Sequence, residues 1–119
     1  MIIAITSEGA TTDSKVDPRF GRAKFFLVYN DEYGKWESID NVQNFQAAQG
    51  AGIQAAATVA NKNCTVLITG HCGPNAFRAF SAANIDVYLC DSGTVKEALE
   101  KFKRGELTKT GNADVEGHW

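Results

Sequence analysis

The sequence predicts an α/β fold built on a mixed five-stranded sheet. Short apolar runs have the composition of strands, two neighbouring runs indicate a hairpin, and segments of helical periodicity separate the later runs. The order along the chain is therefore βββαβαβα. Because crossover connections are right-handed, the first two helices should share one face of the sheet and the third should cover the other. The predicted strand order is 3-2-1-4-5, with the second strand antiparallel.

The first part of the chain predicts three strands and one long loop. Residues 2–6 form an apolar run, and residues 25–29 and 36–40 are hairpin strands separated by turn-forming residues. Residues 7–22 are polar, contain glycine and show no periodicity. A loop of this length in so small a domain is more often functional than incidental.

The next segment predicts a helix, a strand and a second helix. Residues 47–62 carry apolar side chains at helical spacing, and residues 65–69 are a continuous apolar run, as expected for a strand covered on both faces. Pro74 suits the first turn of the following helix, and Asn84 suits the left-handed position that ends it.

The last predicted strand is residues 85–90, and a third helix follows it. Thr94 and Glu97 have the spacing of a capping box, and Gly105 ends the helix. We assign residues 1–107 to a single α/β domain and residues 108–119 to a flexible C-terminal tail.

Composition narrows the classes of partner. The net charge of −2 gives no electrostatic reason to expect nucleic acid. No apolar run approaches the roughly 20 residues that cross a bilayer, and the apolar start lacks the basic region of a signal peptide. The chain has three widely spaced cysteines, which favours reduced thiols over a disulfide framework. We therefore expect a cytoplasmic protein that binds neither nucleic acid nor membrane.

The carboxyl ends of strands 1, 3, 4 and 5 should meet at one edge of the predicted sheet. The strand order reverses between strands 1 and 4, which creates a crevice where α/β proteins bind ligands. Helix N-termini at this edge favour anions. Arg19 and Arg22 add fixed positive charge, although these two arginines could instead be solvated or pair with Asp13 and Asp17. The sequence thus predicts a positively biased pocket for a small anionic ligand. The segments expected to line it are residues 7–23, 41–50, 70–75 and 91–93.

His71 and Cys72 lie next to each other in the loop that follows strand 4. A soft sulfur ligand beside an imidazole suits a thiophilic metal, and a thiol at a helix start tends to have a lowered pKa. Cys90 ends the neighbouring strand, from which it could approach Cys72, whereas Cys64 should lie about 17 Å away at the other edge. A plain role as a small loop residue is the alternative for Cys72.

Three blocks of sequence resemble the dinitrogenase iron–molybdenum cofactor biosynthesis family, which includes NifX-like proteins and the C-terminal domain of NifB. Residues 16–23, which read Val-Asp-Pro-Arg-Phe-Gly-Arg-Ala, resemble its hallmark, and residues 73–77 and 93–98 resemble its second and third blocks. Asn44 and residues 46–52 are most similar to the orange-protein branch, which carries a molybdenum–copper–sulfide cluster. The resemblance extends over nearly the whole chain.

The resemblance implies a ribonuclease H-like α/β/α fold of three layers. It also implies a non-catalytic role in holding or delivering a metal–sulfur cluster of the Fe–Mo–S or Mo–Cu–S type, with cluster-assembly proteins or MinD-type ATPases as partners. Such clusters are anionic, in agreement with the pocket inferred above. In the orange-protein branch the cluster is held noncovalently, so arginines, amides and apolar walls are expected to matter more than a cysteine.

The expected site follows from the pocket and the resemblance together. Phe20 either lines the pocket or closes the core beneath the loop. The candidate cluster-binding residues are Arg19, Phe20, Arg22, Asn44, Gly73 and Asn75, with His71 and Cys72 as candidate metal ligands.

A cysteine-dependent phosphatase is the main alternative. Cys72 and Arg78 have the C-x5-R spacing in which a thiolate attacks phosphorus while loop amides and the arginine hold the oxygens. However, Pro74 removes one amide from that loop, and Arg78 falls a full turn inside the predicted helix.

Other functions have less support. A two-metal nuclease needs clustered carboxylates, and residues 2–6 contain none. Residues 50–55 match a GxGxxA pattern, but they do not directly follow a strand as a dinucleotide site requires. A protein-interaction adaptor stays open and would take up no cluster.

Overall fold

The computed structural model describes residues 1–41 and 51–111. Within these ranges the chain forms six strands and three helices. The strands are β1 (Ile2–Ser7), β2 (Phe25–Asn30), β3 (Lys35–Asp40), β4 (Val66–Thr69), β5 (Asp86–Leu89) and β6 (Thr108–Thr110), and the helices are α1 (Ala51–Asn61), α2 (Pro74–Ala82) and α3 (Val95–Lys103).

The strands form one mixed sheet in the order β3-β2-β1-β4-β5-β6. The β1, β4 and β5 strands are parallel to one another, whereas β2 is antiparallel to both β1 and β3. In the register, Ala4 lies between Val28 on β2 and Leu67 on β4. The strand order therefore reverses between β1 and β4, and their carboxyl ends lie side by side.

The predicted number of five strands is wrong, because β6 adds a sixth. This strand pairs antiparallel with β5, with Thr108 opposite Leu89 and Thr110 opposite Val87. Its sequence is Thr-Lys-Thr, so it carries no apolar alternation that would indicate a strand. It lies inside the segment that we assigned to a flexible tail, and the sheet thus extends to Thr110.

The pleat of the sheet separates two hydrophobic cores. The α1 and α2 helices pack on the face that carries Ala4 and Leu67, together with Phe80 of α2. The α3 helix packs on the opposite face, against Ile5 and Ile68. Two helices on one face and one on the other is the arrangement that right-handed crossovers impose.

The predicted ends of α2 and α3 are confirmed, whereas the predicted start of the first helix at residue 47 lies outside the described residues. Asn84 follows α2 with φ 59°, and Gly105 follows α3 with φ 72°, both in the left-handed region typical of helix termination. Thr94 accepts a hydrogen bond from Glu97 N at 3.2 Å, and Glu97 Oε1 accepts one from Thr94 N at 2.9 Å, which completes the capping box. No helix in the described part of the chain has both the length and the apolarity needed to cross a membrane.

Candidate functional site

The candidate site is the edge of the sheet at which β1, β3, β4 and β5 end. We call it the carboxyl rim and define it as residues 6–24, 41, 69–75 and 90–95. The long loop after β1 is held against it by Thr6, whose Oγ1 donates to Asp17 O at 2.7 Å and is hydrogen-bonded to Thr69 Oγ1 at 3.0 Å. Asp17 N donates back to Thr6 O at 3.0 Å. Thr6 and Thr69 are fully buried, so this network fixes the loop over the junction of β1 and β4.

The first loop and the loop after β4 meet at two points. Arg19 and His71 form an isolated parallel β-bridge. Beside it, Gly70 lies so close to Pro18 that a Cβ on Gly70 would be 2.6 Å from Pro18 Cα. The two predicted site residues Arg19 and His71 are therefore neighbours, because the glycine lets the two backbones approach.

The first loop also contacts the turn that precedes α3 and the first two residues of that helix. Val16 N donates to Gly93 O at 3.1 Å, Val95 N donates to Ser14 O at 2.9 Å and Lys96 N donates to Thr12 O at 3.0 Å. The loop thus connects three of the segments predicted to line the pocket.

A cavity of about 310 Å³ opens beside the first loop, lined by Glu8, Asp17, Pro18, Arg19 and Lys24. Its ionisable groups are two carboxyls and two cations. The sequence predicted a positively biased pocket, but the acidic groups of the same loop balance the basic ones here. Any preference for an anion must therefore come from Arg19 and the parts of the rim beyond this cavity.

Asp17 is a buried carboxyl in the lining of the cavity. Its Oδ1 accepts a hydrogen bond from Arg19 N at 3.0 Å and lies 3.9 Å from Arg19 Nε. Burial raises the pKa of Asp17, while the hydrogen bond and the positive charge of Arg19 partly oppose that rise.

Phe20 is a core residue, with 1% of its surface exposed. Its ring stacks on Phe26 at 5.4 Å between centroids and meets Phe80 edge-on at 4.7 Å. Of the two roles considered for Phe20, the structure therefore favours closing the core beneath the loop.

The remaining cluster-binding candidates lie at different depths. Arg22 is half-buried, and Gly73 is the buried N-cap residue of α2, where its carbonyl accepts from Phe77 N at 2.9 Å. Asn75 is exposed on the first turn of α2 and accepts a hydrogen bond from Arg78 Nη2 at 2.6 Å. Asn44 lies outside the described residues.

Cys72 points into the core. It is fully buried against α1 and α2, and its Sγ donates to Gly73 O at 3.7 Å. Cys90 packs in the core on the other face of the sheet, so the two thiols belong to different hydrophobic cores, contrary to the approach that the sequence allowed. Although Cys72 and Cys90 both follow neighbouring strands, their side chains turn to opposite faces of the sheet. His71 is half-buried and is the member of the His–Cys pair that reaches the surface.

This geometry also bears on the phosphatase alternative. The buried thiol of Cys72 gives a substrate no access, and Arg78 pairs with Asn75 on the outside of α2. Within residues 1–41 and 51–111, no group of three or more His, Cys, Asp or Glu side chains could hold a metal ion by itself.

Sequence reasoning missed the buried polar residues whose hydrogen bonds hold the loops of the rim in place. Thr6, Asn41 and Thr69 are buried polar residues at or just after strand ends. Asn41 Nδ2 donates to Ala23 O at 2.8 Å and to Gly21 O at 3.4 Å, which fixes the end of the first loop. For Thr6 and Thr69 the available signal was a polar residue at the carboxyl end of an apolar strand, whereas Asn41 follows a largely polar strand.

Comparisons with known proteins agree with this architecture. Residues 1–105 match the model of the family described as dinitrogenase iron-molybdenum cofactor. The apo form of the orange protein from Desulfovibrio gigas is 38% identical, with a TM-score of 0.92 over 96% of each chain. A candidate NifB protein from Thermotoga is 34% identical, with a TM-score of 0.83 over 96% of this chain and 98% of that one.

A more distant relative is an uncharacterized protein of Methanocaldococcus jannaschii, 27% identical over 99 residues, or 82% of this chain and 84% of that protein. The family match spans both hydrophobic cores and the whole carboxyl rim. The chain therefore belongs to the dinitrogenase iron–molybdenum cofactor family.

Proposed function

We propose that this chain is a non-catalytic carrier of an anionic metal–sulfur cluster, of the Mo–Cu–S or Fe–Mo–S type, which it holds at the carboxyl rim. The observation that carries the proposal is the backbone bridge between Arg19 and His71. The backbone of a residue with a permanent cation thus lies next to that of a half-buried histidine, near the point where the strand order reverses. A cationic donor suits the sulfides of such a cluster, and an imidazole suits a soft or borderline metal.

The proposed contacts differ in kind. Arg19 and Arg22 supply charge, His71 is the candidate metal ligand, and Gly73 and Asn75 lie at the N-terminus of α2, where backbone N–H groups favour anions. Asn44 stays in the proposed set from the sequence resemblance.

Cys72 and Phe20 take a different part in this proposal. Both side chains are buried in the core on the face that α1 and α2 cover, so we assign them a structural role within the rim and do not count them among the cluster contacts. Because the thiol of Cys72 is buried, we propose that the surrounding polar and charged groups hold the cluster noncovalently.

The relatives support the proposal that this chain handles a metal–sulfur cluster. One similar structure is an orange protein and another is a candidate NifB protein. We further propose a ribonuclease H-like three-layer fold, a cytoplasmic location, and cluster-assembly proteins or MinD-type ATPases as the proteins that receive or supply the cluster. The absence of an accessible thiol disfavours the phosphatase.

The decisive experiment is anaerobic reconstitution with tetrathiomolybdate and Cu(I), followed by elemental analysis and a visible spectrum. The wild-type chain should take up cluster stoichiometrically. The double variant Arg19→Ala, Arg22→Ala should bind about tenfold more weakly or worse, because two charges at the rim are lost.

A matched control removes two cations from the opposite edge of the sheet. Lys62 and Arg104 are exposed and follow the last turns of α1 and α3, so Lys62→Ala, Arg104→Ala changes the net charge equally and should bind as the wild type does. Unchanged uptake by the rim variant would contradict the site, and no uptake by the wild type would favour an adaptor.

A further inference from the structure

Asp17 is a carboxylate built into the rim beside the guanidinium that should hold the cluster. Its side chain is 5% exposed. The backbone of Asp17 is hydrogen-bonded to Thr6 on both sides, since its N–H donates to Thr6 O and its carbonyl accepts from Thr6 Oγ1. The carboxylate therefore has a fixed position from which it cannot follow a ligand into solvent.

Arg19 is held less firmly than Asp17. Its side chain is 39% exposed, and its Nε lies 3.9 Å from Asp17 Oδ1. That distance is too long for a hydrogen bond, so the contact is an ion pair that an incoming anion could replace without first breaking a charge-assisted bond. The hydrogen bond at Asp17 Oδ1 comes from the backbone N–H of Arg19 instead, and that bond survives any movement of the guanidinium.

The charges facing Asp17 are those of Glu8, Arg19 and Lys24, which line the same cavity. Burial and the negative charge of Glu8 both raise the pKa of Asp17, so its charged form depends on Arg19 and on nearby backbone N–H groups. An anionic ligand that approaches Arg19 meets this carboxylate as a competitor for the same cation.

We propose that the Asp17 carboxylate is the counter-ion of Arg19 in the protein without cluster. An anionic cluster replaces this carboxylate as the partner of Arg19 on loading. The carboxylate thereby limits the affinity of the rim for the cluster and allows the cluster to be released. Asp17 acts through Arg19 and is thus a positioning residue that does not itself bind the cluster. The inference rests on the proposed function and names the group that sets how tightly the carrier binds.

Asp17→Asn tests the proposal because asparagine keeps the shape and the oxygen that accepts the Arg19 N–H but removes the charge. In an anaerobic titration with tetrathiomolybdate and Cu(I), followed in the visible spectrum, its dissociation constant should fall about three- to tenfold. Asp31→Asn is the matched control, since Asp31 is an exposed carboxylate that pairs with Lys103 at the opposite edge of the sheet. It should change the constant by less than about twofold, because screening weakens exposed charges.

Two further readouts separate this role from a purely structural one. In an Arg19→Gln background, Asp17→Asn should no longer tighten binding. By NMR, the Arg19 Nε–H resonance should shift in Asp17→Asn before any cluster is added, and in the wild type it should shift on loading.

Three results would overturn the inference: weaker or unchanged binding by a folded Asp17→Asn, an equal gain in Asp31→Asn, or a gain that persists without Arg19. If Asp17→Asn does not fold, NMR of the wild-type protein tests the inference instead. Cluster loading should then shift both the Asp17 carboxyl ¹³C resonance and the Arg19 Nε–H resonance. Unchanged resonances would overturn it as well. A wild type that takes up no cluster would instead refute the proposed function, so the two failures are distinguishable.

Discussion

The two edges of the sheet are held together by different kinds of polar interaction. At the carboxyl rim, the polar side chains Thr6, Asp17, Asn41 and Thr69 are buried and bind backbone atoms or one another. At the opposite edge, the polar contacts are exposed ion pairs, such as Lys62 with Glu37 at 2.8 Å and Lys103 with Asp31 at 3.4 Å.

This difference shows at which edge of the sheet the fold holds the backbone in a fixed geometry. Buried hydrogen bonds are costly to break, because the remaining partner is left without water. Exposed ion pairs contribute little and tolerate change. The rim therefore has the rigid backbone that a binding site needs, and the other edge has the polar surface of an ordinary turn region.

The largest effect should come from removing the aromatic ring that anchors the rim. Phe20→Ala deletes a fully buried ring that packs on Phe26 and Phe80, and should lower the free energy of unfolding by about 3–5 kcal/mol. Urea denaturation measures it. Tyr33→Ala, in the exposed hairpin at the opposite edge, is the control and should cost less than about 0.5 kcal/mol. Equal costs would show that the rim loop is not part of the core.

The next prediction distinguishes an effect on the geometry of the rim from an effect on the stability of the whole fold. Gly70→Ala places a methyl group 2.6 Å from Pro18 Cα, which must push the two loops apart. We expect a loss of about 2 kcal/mol in urea denaturation, together with weaker cluster uptake because Arg19 moves away from His71.

Gly111→Ala is the matched control, because a Cβ there meets no atom within 4 Å. It should match the wild type in both measurements. A Gly70→Ala protein that is destabilised but binds cluster normally would show that the contact between the loops serves stability alone.

Much of this architecture was accessible from sequence because it depends on local patterns. The apolar runs, the capping box at Thr94 and the left-handed residues Asn84 and Gly105 each act through neighbouring residues. By contrast, β6 is stabilised by pairing with β5, a long-range contact that leaves no trace in three polar residues.

The site was less accessible than the fold for the same reason. The sequence placed Arg19 and His71 at one edge, but only the structure shows that they are bridged. The burial of Cys72 and Phe20 depends on which way each side chain turns under the loop. The balance of positive and negative charge in the cavity depends on Glu8 and Lys24, which are distant from each other in sequence but line the same cavity.

A smaller effect concerns pH at the opposite edge, where Cys64 precedes β4. Burial raises the pKa of the Cys64 thiol from 9.0 to about 11, with the charge of Glu37 adding to the shift. Above pH 9 the unfolded chain loses this proton while the folded chain retains it, so stability should fall between about pH 9 and 11. Below pH 9 the thiol should have no such effect.

The Cys64→Ala variant isolates this contribution. Its stability should fall less than that of the wild type across the same pH window, by roughly 1–2 kcal/mol, when urea denaturation is repeated at each pH. Parallel pH profiles for the two proteins would mean that the thiol ionises equally in both states.

The smallest effect should come from the exposed pair at the opposite edge. Lys62→Ala removes the partner of Glu37 and should change the free energy of unfolding by less than about 1 kcal/mol. That small change should shrink further in 0.5 M salt, because the Debye length then falls to a few ångströms. A cost above about 2 kcal/mol that persists in salt would contradict the contrast between the two edges, since this ion pair would then be as structural as the buried network around Thr6.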